Sequence, residues 1–178
     1  MVGRMSARTL PATDEIWGWL AQVPDPEIPV ISIVDLGIIR DVDWKEDTLV
    51  VTVTPTYSGC PATSVINLDI AAALRAQGVE KLHIKRALAP PWTTDWISAE
   101  GREKLRAYGI APPIDGTAAD GLISKRIKRL ATDANFEVSC PRCGSAHTEL
   151  ISNFGSTPCK ASRRCKTCLE PFDYFKCI

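Results

Sequence analysis

The chain has 178 residues, with Lys+Arg and Asp+Glu at 21 each and a formal net charge of zero at pH 7. That length holds one core of ordinary size plus a small appendage, and the balanced charge argues against a general nucleic-acid or anionic-membrane binder, which is usually basic. Seven cysteines, an odd number, point to metal ligation or thiol chemistry before disulfides. Residues 1–12 carry Arg4 and Arg8 but no apolar run of signal-peptide length, and no later stretch approaches a membrane span. The expectation is a soluble, cytoplasmic protein.

Thr13 or Asp14 is expected to cap a first helix whose apolar positions Ile16, Trp19, Leu20 and Val23 keep helical spacing until Pro24 and Pro26 stop it. Asp25, Glu27 and Asp35 follow in a proline-interrupted loop, where carboxylates can neighbour a metal, contact a partner or cap turns. Ile38 to Trp44 reads as a strand and Lys45 to Thr48 as a polar turn. Leu49, Val51 and Val53 then alternate with Val50, Thr52 and Thr54 as a core strand. After Pro55, Ser58 and Gly59 break the strand, and Val65 to Gln77 reads as a helix with Ile66, Ile70, Ala73, Leu74 and Gln77 on one face. Cys60 therefore falls at a strand-to-helix junction. Pro61 suits a first helical turn, and a thiol near the positive end of a helix dipole favours the thiolate that attacks or ligates. A small buried side chain capping a turn is the alternative.

Gly78 stops that helix, and Leu82, Ile84 and Leu88 alternate with Lys81, His83 and Lys85 in a further strand with one wet face, on which His83 lies. Trp92 and Trp96 flank a polar turn and either close the core or form a partner-binding hot spot. Ser98 is expected to cap a short helix that Gly109 ends, closing the first module near Pro113. Residues 114–135 read as a linker containing a basic cluster, Lys125, Arg126, Lys128 and Arg129.

The strongest chemical signal is Cys140-Pro141-Arg142-Cys143-Gly144 followed by Cys165-Lys166-Thr167-Cys168. Two Cys-x-x-Cys knuckles at this separation supply four thiolates to one tetrahedral ion. Glu149 to Phe154 and Phe172 to Phe175 are expected to pair as strands behind the knuckles, giving a zinc ribbon over residues 136–178. So short a module usually needs a metal, and structural zinc contributes on the order of 10 kcal/mol to folding in such cases. Its loss is expected to unfold the tail and spare Thr13 to Pro113. Iron in a rubredoxin-like site also fits the ligands. Cys159, six residues before Cys165, is able to compete as a ligand, and Cys177 reads as a buried thiol.

Three separated motifs, Asp25-Pro26-Glu27-Ile28-Pro29-Val30, then Ser32 to Ile39, then Thr56 with Ser58-Gly59-Cys60-Pro61, resemble the metal-sulfur cluster assembly domain family. Pro90-Pro91-Trp92-Thr93-Thr94-Asp95-Trp96, Gly101 to Leu105, Gly109 to Pro113 and the cysteine-rich tail extend the likeness to the PaaD family of phenylacetyl-coenzyme A epoxidase systems. The resemblance implies an α+β module over residues 13–113, a small mixed sheet packed with helices, followed by the zinc ribbon. It implies an accessory part in epoxidase maturation beside the oxygenase and reductase subunits, with Cys60 as a transient iron or iron-sulfur ligand and Asp25, Glu27, Asp35 and Thr56 as supporting or partner residues. No catalytic residue is assigned, because the chain has no Glu-x-x-His pair on a helix for a di-iron centre and no Rossmann fingerprint. A rubredoxin-like electron carrier and a zinc-ribbon nucleic-acid regulator are the rival readings.

Overall fold

The computed structural model describes residues 10–57, 59–113 and 137–176. The 114–135 linker with its basic cluster, Ser58 and Cys177 lie outside the described residues. Helix α1 (Thr13–Leu20) buries Ile16 and Leu20. Its cap is Ala12, one residue earlier than expected, whose N–H donates to the Glu15 carboxylate at 2.9 Å. Val23 is buried beyond the helix end, in the turn that leads to Pro24.

Strands β1 (Ile39–Lys45) and β2 (Thr48–Val53) form the antiparallel hairpin, and β3 (Leu82–Arg86) joins β2 in parallel, giving a mixed sheet of order β1-β2-β3. The parallel crossover is α2 (Thr63–Ala76), which lays Ile66, Ile70 and Leu74 on the core face. Gln77, expected on that stripe, is exposed just past the helix end. Leu88, expected to continue the last strand, is also exposed, because β3 ends at Arg86. Leu49, Val51 and Val53 are buried as their alternation requires.

Helix α3 (Ala99–Tyr108) starts at Ser98, whose hydroxyl accepts from Gly101 N–H at 2.9 Å, and ends at Gly109 with φ 97°. Trp92 is buried and donates from its indole N–H to the Leu36 carbonyl at 2.8 Å, while Arg40 stacks 3.5 Å over the ring of Trp96. Both tryptophans thus serve internal packing.

The C-terminal module holds β5 (Thr148–Ser152), β6 (Lys160–Cys165) and β7 (Pro171–Phe175). The two outer strands expected to pair with each other instead flank β6, whose Lys160, Ser162, Arg163 and Arg164 lack the apolar alternation that predicts a strand. A fourth strand, β4 (Ile110–Ala111), comes from the first module and pairs in parallel with β7, so one sheet of order β4-β7-β6-β5 crosses the boundary near Pro113. Phe175 and Cys159 are buried in the first module's core, with the Phe175 ring 6.2 Å from that of Trp92. The ribbon is packed into its neighbour rather than tethered beside it.

Candidate functional site

The knuckles bring the sulfurs of Cys140, Cys143, Cys165 and Cys168 all within 4.8 Å of one another. Cys140 and Cys168 stand 3.8 Å apart and Cys143 and Cys165 3.6 Å. Four sulfurs each about 2.3 Å from a tetrahedral zinc stand about 3.8 Å apart, so the donor set fits such an ion, whereas a disulfide needs about 2.05 Å. Local backbone builds the cage. Gly144, at φ 74°, lets its N–H return to the Cys140 carbonyl at 2.9 Å, and the Thr167 and Cys168 N–H groups point at the Cys165 sulfur from 3.4 Å. The Cys168 and Thr167 amides bring the Cys165 thiol down to about 6. Cys168 goes the other way: the Glu170 backbone hydrogen bond lowers it, but the sulfurs of Cys165, Cys143 and Cys140 push it up to about 12. Four thiolates this close need a cation among them.

Cys60 sits elsewhere, in the turn before α2. Its N–H donates to the Tyr57 carbonyl at 3.1 Å and its carbonyl accepts from Thr63 N–H at 3.3 Å. The helix begins at Thr63 with Ala62 as cap, so Cys60 and Pro61 precede the first helical turn instead of entering it. The half-buried thiol lines a small cavity of about 20 Å³. The loop between α1 and β1 supplies Asp25 and Glu27 to its wall, the end of β2 leads to Thr56, and the ribbon contributes Cys159 and Phe175.

The carboxylates differ in role. Asp25 is buried and accepts from the N–H groups of Glu27 and Ile28 at 2.9 and 2.8 Å; burial raises its pKa against those two bonds and the nearby Lys160 charge. Glu27 is also raised, by burial and then by Asp25. Asp35 does not line the cavity. It accepts from the hydroxyls of Ser32 and Ser98, each at 2.9 Å, and from Lys104 Nζ at 2.8 Å, clamping the loop to α3. Burial alone would raise Asp35, but the donors Lys104, Ser32 and Ser98 outweigh it and hold the carboxyl below its usual value. Tyr57 is pushed up to about 12, by burial first and then by Cys60, Glu27 and Cys159.

Cys159 stands apart from the knuckle cluster. It is buried, its sulfur 3.0 Å from the Thr157 hydroxyl, and burial raises its pKa. Its position six residues before Cys165 predicts a competitor for the ribbon metal, whereas the structure places it on the wall of the Cys60 cavity. The only signal of its actual place was negative: it was a thiol left over after the knuckle spacing had been satisfied. His83 is exposed on β3, and among the described residues no helix is long and apolar enough to cross a membrane.

The family model described as "PaaD zinc beta ribbon domain" matches residues 124–176, and that described as "Iron-sulfur cluster assembly protein" matches residues 13–83. An Escherichia coli (strain K12) protein, provisionally named as a component of 1,2-phenylacetyl-CoA epoxidase, is 47% identical over 175 residues, covering 98% of this chain and 99% of that one. The chain belongs to the PaaD family. The Fe-S protein maturation auxiliary factor YitW of Bacillus subtilis (strain 168) is 40% identical over 87 residues, 48% of this chain and 84% of that one. A Porphyromonas gingivalis Fe-S protein maturation auxiliary factor is 36% identical over 103 residues, covering 57% and 97%. Among solved structures, a DUF59 domain from Bacillus anthracis is 29% identical with a TM-score of 0.48, covering 52% of this chain and 89% of that one. The PaaD family thus joins an iron-sulfur assembly module, which carries Cys60, to a ribbon whose four-cysteine cluster is built for a metal, and these relatives support an accessory role.

Proposed function

We propose that this protein is a maturation component of the multicomponent oxygenase that epoxidises the ring of phenylacetyl-coenzyme A. It acts in the cytoplasm with the oxygenase and reductase subunits and helps to build their iron or iron-sulfur centres. Cys60 is the transient ligand, supported by Asp25, Glu27 and Thr56, while Asp35 orients the loop that carries the first two. Zinc on Cys140, Cys143, Cys165 and Cys168 is structural: a closed four-thiolate site has no open position for chemistry.

The observation that carries this reading is the placement of Cys60, a half-buried thiol in a cavity walled by Asp25 and Glu27, within a module matching the iron-sulfur assembly family. The thiol opens onto a small, largely apolar cavity in which Asp25 and Glu27 are the charged groups on the wall.

Turnover tests the proposal. Epoxidase subunits made without this chain are expected to be poor in iron or cluster, and to become active once their centres are rebuilt chemically. Fully metallated partners should then turn over phenylacetyl-coenzyme A equally well with and without it. Strict dependence on its continued, stoichiometric presence would make it a working subunit, as an electron carrier is. Cys60→Ser, close in size, should leave the fold and the ribbon zinc in place while abolishing growth on phenylacetate.

A further inference from the structure

Cys60 is bounded on its inner side by the ribbon as well as by its own module. The cavity that its thiol lines has a volume of about 20 Å³, the space of one water molecule. Most of the wall is apolar: Leu36, Ile38, Val53 and Ile66 come from the first module, and the buried Phe175 from the last strand of the ribbon. Such a wall strips an ion of its water without replacing it, so the closed cavity is no place for a metal. An iron-sulfur cluster, with its bridging sulfides, needs several times that space.

We propose that Phe175 is the specificity-determining residue of the Cys60 site: its ring sets the size of what reaches the thiol, and a body as large as a cluster is admitted only when the edge of the ribbon that carries Phe175 withdraws. The inference deepens the maturation reading and rests on it for the nature of the cargo. It gives the ribbon a part at Cys60 that requires no ligand from the ribbon. The closed arrangement keeps bulky reactants off the thiol until a partner displaces the edge.

The edge is built to move as one piece. Phe175 stands opposite Lys160 in the β6–β7 ladder, and Lys176 N–H donates to the Cys159 carbonyl at 2.9 Å. Phe175 and Cys159, both on the cavity wall, therefore belong to the same end of the same strand pair. What holds that end down is limited. The Phe175 ring lies 6.2 Å from that of Trp92, whose indole N–H is fixed to the Leu36 carbonyl at 2.8 Å. The strand that ties β7 to the first module, β4, is two residues long. Opening a seam of a few apolar contacts and one short strand costs less than unfolding either module, so the ring is able to leave while the knuckles keep their zinc.

Two maleimides of different bulk are the probes. The zinc-loaded full chain is treated with N-methylmaleimide or with fluorescein maleimide, and the rate at Cys60 is read by peptide mapping, each reagent scaled to its rate with a free cysteine peptide. In wild type the small reagent should be favoured by about tenfold or more, because the bulky one waits for the seam to open. Phe175→Ala should remove most of that preference by speeding the bulky reagent, and Phe175→Leu, which restores part of the volume, should fall between. Leu20→Ala is the control: Leu20 is buried in the same core but does not line the cavity, so a loss of stability there should leave the preference as in wild type. Zinc content and thermal melts are taken for every protein. Equal scaled rates of the two reagents in wild type would overturn the size limit, a reading that needs no variant to fold. So would an unchanged preference in folded Phe175→Ala, or a change in Leu20→Ala as large as in Phe175→Ala. All of this is measured without the epoxidase subunits. Failure of the maturation role in the turnover assay would therefore leave the size limit standing without its cargo, and failure of the size limit would leave Cys60 as a ligand reached from its solvent side.

Discussion

Removing the ribbon's metal should weaken the first module as well as the tail, contrary to what the knuckle spacing alone implies. Cys143→Ser takes away one of four ligands and with it the zinc, whose contribution is on the order of 10 kcal/mol in such modules. As the ribbon unfolds it withdraws Phe175, a side chain only 1% exposed and buried in the first module's core. Burying a phenylalanine is worth about 3 kcal/mol. The tilted contact of its ring with Trp92, at 6.2 Å between centroids, adds about 1 kcal/mol. The β4–β7 pairing is lost as well. Some 4 kcal/mol is a large share of the roughly 5–15 kcal/mol that holds a domain folded, and about 4–8 °C per kcal/mol makes the shift about 15 °C or more. The assay is thermal unfolding by near-ultraviolet circular dichroism, with amide exchange of β2 read by mass spectrometry; chelation of wild-type zinc should reproduce the effect. A zinc-free Cys143→Ser protein whose β2 amides stay protected and whose melting is unchanged would refute the reasoning.

Further outcomes follow from individual contacts. Metal analysis should find one zinc per chain in wild type and none in Cys168→Ser; full retention in that variant would remove the ligand assignment. Asp35→Asn should cost about 1–3 kcal/mol at pH 7, because charge-assisted bonds from Lys104 and the serines are lost. Since the folded pKa of Asp35 lies below its unfolded value near 4, its stabilisation is present above that value and fades as pH falls through the folded one. The gap between wild type and variant in urea unfolding should therefore be constant above about pH 5 and close below about pH 4, and a pH-independent gap would contradict the clamp. Gly37 has φ 67°, and a Cβ there would stand 2.5 Å from the Trp96 carbonyl oxygen. Gly37→Ala should destabilise by about 3 kcal/mol from backbone strain and overpacking together, and an unchanged urea midpoint would show that the loop yields.

Features set by near neighbours in the chain were legible in the order of residues alone. The Cys-x-x-Cys spacing brings the two sulfurs of each knuckle together, because a knuckle is a local turn, while the meeting of the two knuckles spans more than twenty residues. Ile66, Ile70 and Leu74 announced the buried face of α2, Leu49, Val51 and Val53 the core strand, and Ser98 and Gly109 the limits of α3, since each follows from helix or strand periodicity or from capping chemistry. Near misses such as Gln77 and Leu88 fell at element ends, where periodicity no longer constrains the chain. What only the tertiary structure decided involves residues far apart in sequence. Strand β6 carries no apolar alternation and exists because β5 and β7 pair on both its sides. Asp35 as a clamp depends on Lys104, 69 residues away. The cavity that Cys159 and Cys60 both line, and the packing of Phe175 against Trp92, join the ribbon to the first module, as the β4–β7 pairing does. Such contacts leave no period in the sequence: they arise when two surfaces, each incomplete alone, exclude water from one shared core.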